Sequence, residues 1–108
     1  MKKGNLFDIK DVEGNIDEII QPLAEGSVRI ERIVSHGQIT PKNGWFDQES
    51  DEWVVLLQGI ATILLEDERE IHLTPGDYML IPAHQKHRVT YTSSSPACVW
   101  LAIHGNFS

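Results

Sequence analysis

The sequence predicts an all-β domain, an antiparallel sandwich or barrel, and three observations carry that expectation. Seven short runs rich in β-branched and apolar residues succeed one another between Val28 and His104. Turn formers or charges separate them at close spacing, with no helical periodicity in between. One run, Val54-Val55-Leu56-Leu57, is apolar on both alternating faces, so something must cover each face.

Before the first run, Gly14 or Asn15 can cap a turn through Ile16, Asp17, Glu18, Ile19 and Ile20, with acids early in the turn and Pro22 as its stop. A short N-terminal helical turn is therefore expected within an arm over residues 1–27. Val28–Ser35 reads as a strand, after which Gly37, Pro41, Asn43 and Gly44 punctuate a loop. Further strands are expected over Glu52–Leu57, Ile60–Glu66, Glu70–Leu73, Tyr78–Ile81, Arg88–Thr92 and Ala97–His104. Their separators are Gln58-Gly59, Asp67-Glu68-Arg69, Thr74-Pro75-Gly76-Asp77, Pro82 to His87 and Ser93-Ser94-Ser95-Pro96. The barrel core thus spans about 28–104 of a single domain over 1–108.

Composition narrows the function classes. A chain of 108 residues holds one core of ordinary size, and 41% hydrophobic with 23% charged residues matches a soluble globular domain. The longest apolar run, Trp53 to Leu57, falls far short of the roughly 20 residues that span a bilayer, so no membrane partner is expected. Lys2 and Lys3 are followed by Asp8, Lys10, Asp11 and Glu13 instead of an apolar signal segment, which points to the cytoplasm. Sixteen acidic against nine basic residues, a net charge of −7, oppose a nucleic-acid partner. Cys98 is the single cysteine, and Ala97, Val99 and Trp100 around it suggest a small buried hydrophobe. The second face of Trp53–Leu57 calls for the N-terminal segment or a second subunit as its cover, and a homodimer with Trp53 in the contact is the expected assembly.

The chemistry-bearing residues form two spaced motifs. Glu52 is followed by six residues and Gly59; after sixteen more residues comes Gly76, five residues, Pro82, and His87 five positions beyond the proline. These spacings resemble the cupin family, whose first motif runs Gly, five residues, His-x-His, three or four residues, Glu, six residues, Gly. Its second runs Gly, five residues, Pro-x-Gly, two residues, His, three residues, Asn. The resemblance covers roughly Val28 to Ile103 and implies a double-stranded β-helix, the jelly-roll or RmlC-like barrel. The strings Trp45-Phe46-Asp47-Gln48, Asp51 to Gly59 and Ile81 to Val89 are similar to those of small single-domain bacterial cupins without an assigned reaction.

The first metal motif is degenerate. Its His-x-His positions fall on Phe46 and Gln48, or on Trp45 and Asp47 with the longer spacer; the second-motif Gly is His84 and the Asn is Tyr91. Of the family's metal ligands only Glu52 and His87 carry over, and a third must come from Gln48, Asp47 or His84. Gln48, Ser50 and Glu52 share parity, and on the other strand His87, Val89 and Tyr91 do, so opposed strands can bring Gln48, Glu52 and His87 together. Each residue also has an ordinary reading: Glu52 as hairpin charge, His87 as a satisfied interior imidazole, His84 as a solvated turn residue and Gln48 as a hydrogen-bonding amide. His36 and His104 lie outside both motifs.

What the resemblance implies is a polar pocket with Glu52, His87, Gln48 and His84 as candidate ligands of a divalent transition metal (Fe, Mn, Ni or Zn) and Asp47, Tyr91 and Trp100 as pocket residues. The expected function is a metal-dependent enzyme on a small oxygen-rich metabolite, of isomerase, dioxygenase or decarboxylase type. The alternative is a metal-free cupin that binds or senses a small ligand. No catalytic residue is assigned, since the fold alone sets no reaction.

Overall fold

The computed structural model describes residues 1–107, which contain eight strands and no helix. They are β1 (Ile19–Glu25), β2 (Arg29–Ser35), β3 (Asp51–Gln58), β4 (Ala61–Leu65), β5 (Glu70–Leu73), β6 (Tyr78–Ile81), β7 (His87–Thr92) and β8 (Cys98–Gly105). Two antiparallel sheets form, one in the order β1-β2-β8-β3-β6 and one in the order β5-β4-β7. Their inner faces share one core: Val54, Leu56, Ile81, Cys98, Trp100 and Ala102 from the larger sheet meet Ala61, Ile63, Leu65 and Leu73 from the smaller.

The expected N-terminal helical turn is not found. Ile19 and Ile20 instead open β1, and Pro22 lies inside that strand beside a register shift between Pro22 and Ala24. A proline is tolerated there because β1 is the sheet's edge, where one N–H need not pair. The N-terminal segment does cover part of the large sheet's outer face, for Ile9 and Val12 pack on Val34, Ala97 and Val99, with Leu57 alongside. It does not reach the β6 edge, where the Trp53 ring meets Tyr78 at 5.5 Å while Tyr78 and Leu80 stay 67% and 51% exposed.

Two local features set the path of the chain around the site. Gly59 turns β3 into β4 at φ +91°, and a Cβ there would sit 2.8 Å from Cys98 Sγ and 2.9 Å from its Cα, so only glycine fits. Asp51, buried at the start of β3, accepts hydrogen bonds from the Ala83 and Phe107 amides, each at 2.8 Å. The first of these ties the loop before His87 to the strand that carries Glu52.

Candidate functional site

A cavity of about 210 Å³ opens between the two sheets. Strand alternation supplies its walls: inner-face residues of β3 (Glu52, Val54), β8 (Trp100, His104), β2 (Glu31, Ile33), β4 (Ile63) and β7 (His87, Val89) all line it. Most of the wall is aliphatic or aromatic. The polar groups are Glu18, Glu31, Glu52, His87 and His104 together with Gln38, Thr40 and Gln48, and no Lys or Arg lines it.

Glu52 is the pivot. It is 7% exposed, and cross-strand register sets it between His104 of β8 and Ile81 of β6. No described residue donates it a hydrogen bond; His87 faces it, with Nε2 3.9 Å from Oε1. Burial pushes the Glu52 carboxyl above the usual carboxylate range, opposed in part by His104, His87 and Arg29 and reinforced by Glu31. A buried, weakly partnered carboxyl of this kind is the usual raw material of general acids and bases.

His87 is oriented for that carboxyl. It opens β7, is 5% exposed, pairs its backbone with Phe46 and stacks its ring on the Phe46 ring at 5.4 Å. Nδ1 lies 2.9 Å from the Gln85 carbonyl, which can only accept, so Nδ1 carries the proton. In the neutral ring Nε2 is then a free lone pair on the Glu52 side.

A second acid–histidine pair stands beside the first. His104 Nε2 lies 2.9 Å from Glu31 Oε1, and the other Glu31 oxygen accepts from Arg29 Nε at 3.1 Å. His104 Nδ1 is buried with no hydrogen-bond partner among the described residues. At another part of the wall, Trp100 Nε1 donates to Ser35 Oγ at 3.1 Å, and Ser35 Oγ donates to Glu18 Oε2 at 3.0 Å. Burial raises the Glu18 carboxyl, and the Ser35 bond offsets this in part.

Of the residues singled out from the sequence, the structure brings Gln48, Glu52, His87 and Trp100 to the cavity. It does not bring Asp47, His84 or Tyr91 there. His84 takes the motif's glycine place and keeps a glycine-like backbone, φ +65°, which turns its side chain outward. There its Nδ1 meets Asp47 at 2.8 Å, both side chains being largely exposed, at 65% and 43%. Tyr91 is displaced by a bulge: Ile63 pairs with Val89 but Thr62 with Tyr91, so the extra residue Thr90 shifts the alternation and leaves Tyr91 50% exposed on the outer face. Phe46 and Gln48, not Trp45 and Asp47, occupy the inward positions of the first motif.

Glu31, His104 and Glu18 are site residues that motif reasoning missed. The signal was available in part, for His104 shares parity with Trp100 and Ala102, and Glu31 with Ile33, on strands whose inner faces are otherwise apolar.

The family model for the cupin domain matches residues 30–104. The chain belongs to the cupin family. A Ralstonia eutropha protein, provisionally assigned as a mannose-6-phosphate isomerase, is similar over 99% of this chain and 100% of its own at 44% identity and a TM-score of 0.91. A cupin superfamily protein of Desulfitobacterium hafniense matches at 22% identity and 0.71, covering 85% of this chain and 80% of its own. An RmlC-like cupin of Desulfovibrio desulfuricans matches at 18% identity and 0.71, covering 99% of each chain. These last two show the fold alone. No curated protein matches the chain.

Cupins often bind metal, and the donor set of this cupin can be tested for it. Among the described residues no group of three or more His, Cys, Asp or Glu side chains is gathered to hold an ion. Glu52 and His87 face each other, but His104 turns its Nε2 to Glu31, and His84 is outside the cavity. What is left for a third contact is the Gln48 amide, a weak donor to transition metals. The residues do not fit a tightly held ion. No described helix is long and apolar enough to cross a membrane.

Proposed function

We propose that this cupin binds a compact, mainly apolar small molecule and that Glu52 and His87 exchange a proton with its polar end, without a resident metal. One observation carries the reading: a buried carboxyl raised by desolvation, without a hydrogen-bond donor, faces the free Nε2 of an oriented imidazole. Together the two groups can give and take a proton in an apolar chamber, where such transfers are not short-circuited by bulk water. A volume of about 210 Å³ lies below the roughly 300–1,000 Å³ of drug-sized sites, so the molecule is small.

A metal-dependent enzyme on an oxygen-rich metabolite has less support, because two protein groups hold a metal poorly. A phosphorylated sugar, the substrate class in the description of the Ralstonia relative, also suits the cavity poorly. Phosphate recognition calls for Arg, Lys or a nest of amides, whereas this lining has three carboxylates and no Lys or Arg.

Metal analysis of untagged protein and protein-observed NMR with compact fragments test the reading together. Expected are metal well below one equivalent and fragment hits that shift the Trp100 indole N–H and are altered by Glu52→Gln. One equivalent of Mn, Fe, Co, Ni or Zn, lost in His87→Ala, would overturn it.

A further inference from the structure

The hydrogen-bonding groups of the cavity are unbalanced. Most donors are already committed: Gln38 Nε2 donates to the Asn15 and Ile16 carbonyls, Trp100 Nε1 to Ser35, and Ser35 Oγ to Glu18, which leaves the Gln48 amide and the Thr40 hydroxyl as the uncommitted donors of the wall. Arg29 Nε is held by Glu31. Acceptors are left over: both oxygens of Glu52, the remaining oxygen of Glu18, and His87 Nε2, whose partner nitrogen carries the proton. His104 Nδ1 adds another, since Nε2 faces the Glu31 carboxylate and so bears the hydrogen.

Charge is unbalanced in the same sense. Glu18, Glu31 and Glu52 line the cavity with no Lys or Arg among them, in a chain of net charge −7 that attracts cations. A buried carboxylate without a partner is costly, and Glu52 is 93% removed from solvent by its 7% exposure. Phe46 and Trp100 supply aromatic surface to the same chamber, against which a cation is favoured.

The complement of such a site is a group that only donates and carries positive charge. An ammonium has three donors and no acceptor, a hydroxyl brings acceptor lone pairs into a chamber already rich in them, and a carboxylate adds like charge. We propose that the ligand is a small organic ammonium, a protonated amine on a compact apolar body, with Glu52 as its principal charge partner. This rests on the reading of the cavity as a small-molecule site and adds the chemical class. Bound there, the ammonium would supply Glu52 with the partner that burial leaves it without.

Three probes of similar size separate the possibilities: cyclohexylamine, cyclohexanol and cyclohexanecarboxylate, titrated calorimetrically into the full chain at pH 7.5. Cyclohexylamine should bind at least about tenfold more tightly than cyclohexanol, and the carboxylate should give no heat of binding. In Glu52→Gln, and to a smaller degree in Glu18→Gln, the advantage of the amine over the alcohol should shrink. The wild-type comparison stands even if a variant folds poorly. Cyclohexanol binding as tightly as the amine, or the carboxylate binding best, would overturn the ammonium and leave the cavity a small-molecule site. Binding by none of the three would overturn both.

Discussion

Replacing Glu52 by glutamine should make the protein more stable at neutral and mildly alkaline pH, although it removes the central polar group of the site. The carboxyl is raised in the folded state chiefly by burial, so between the unfolded value near 4.5 and its folded value the native state binds more protons than the unfolded one. Stability contributed through this group is therefore greatest at low pH and is lost as pH rises through the folded value. One proton of difference gives a slope of at most about 1.4 kcal/mol per pH unit, or roughly 1 M in the urea midpoint for a small domain. Glutamine keeps the shape and has no charge to desolvate. It forfeits little in return, because the His87 contact at 3.9 Å is beyond hydrogen-bonding distance. Subtracting the two curves leaves the share that passes through Glu52. Urea unfolding of wild type and Glu52→Gln from pH 4.5 to 8.5 should give curves that diverge with pH, the variant above. Parallel curves with the variant below would refute the reasoning, for they would show a carboxylate well partnered in the fold.

His84→Gly should be neutral or stabilising and His84→Val should cost about 1–2 kcal/mol in chemical unfolding, because φ +65° penalises a β-branched residue while only an exposed ion pair with Asp47 is lost. Tyr91→Ala should leave the affinity of any cavity ligand unchanged, since the Thr90 bulge faces Tyr91 outward; a loss beyond threefold would mean the side chain reaches the site. The apolar β6 edge, with Trp53, Tyr78 and Leu80, is expected to pair with a second copy of the chain. Sedimentation at micromolar concentration should then give about twice 12.2 kDa and Trp53→Asp should halve it, whereas a monomeric wild type would refute the pairing.

How much of this was legible in the sequence depended on whether local rules were left undisturbed. Strands β2 to β8 lie within about two residues of their expected bounds, because Gly, Pro and charged turns punctuate them on the chain itself. β1 was hidden, since acids followed by a proline satisfy the rules for a helix start and stop, and only its place at the sheet edge makes the proline admissible. Period-two alternation brought Glu52 and Gln48 to the cavity correctly and failed at Tyr91, where one inserted residue reverses the faces. Glu31 and His104 come from strands outside both motifs, and their pairing depends on the β2–β8 register, a non-local fact that spacing along the chain does not contain.

The substitutions in the first motif bear on one another physically. Where the family's pattern has histidine, Phe46 lays an aromatic ring on His87, and Gln48 places a neutral amide on the cavity wall. Both changes withdraw positive or metal-binding character from the surroundings of Glu52 while leaving its burial intact. In a metal site, the ion's charge would hold such a carboxylate ionised. Here the opposing influences are two imidazoles, one of them already turned to Glu31, and an arginine engaged by that same Glu31, so desolvation prevails. The ligand position is thereby converted from one suited to an ion into one suited to a proton or to an incoming cation. If so, restoring imidazole at both places, Phe46→His with Gln48→His, should create measurable Zn or Ni affinity, abolished by His87→Ala, and should lower the pH at which Glu52 ionises. A double variant that takes up no metal would show that the loop before β3 holds these positions too far from Glu52 for three donors to meet.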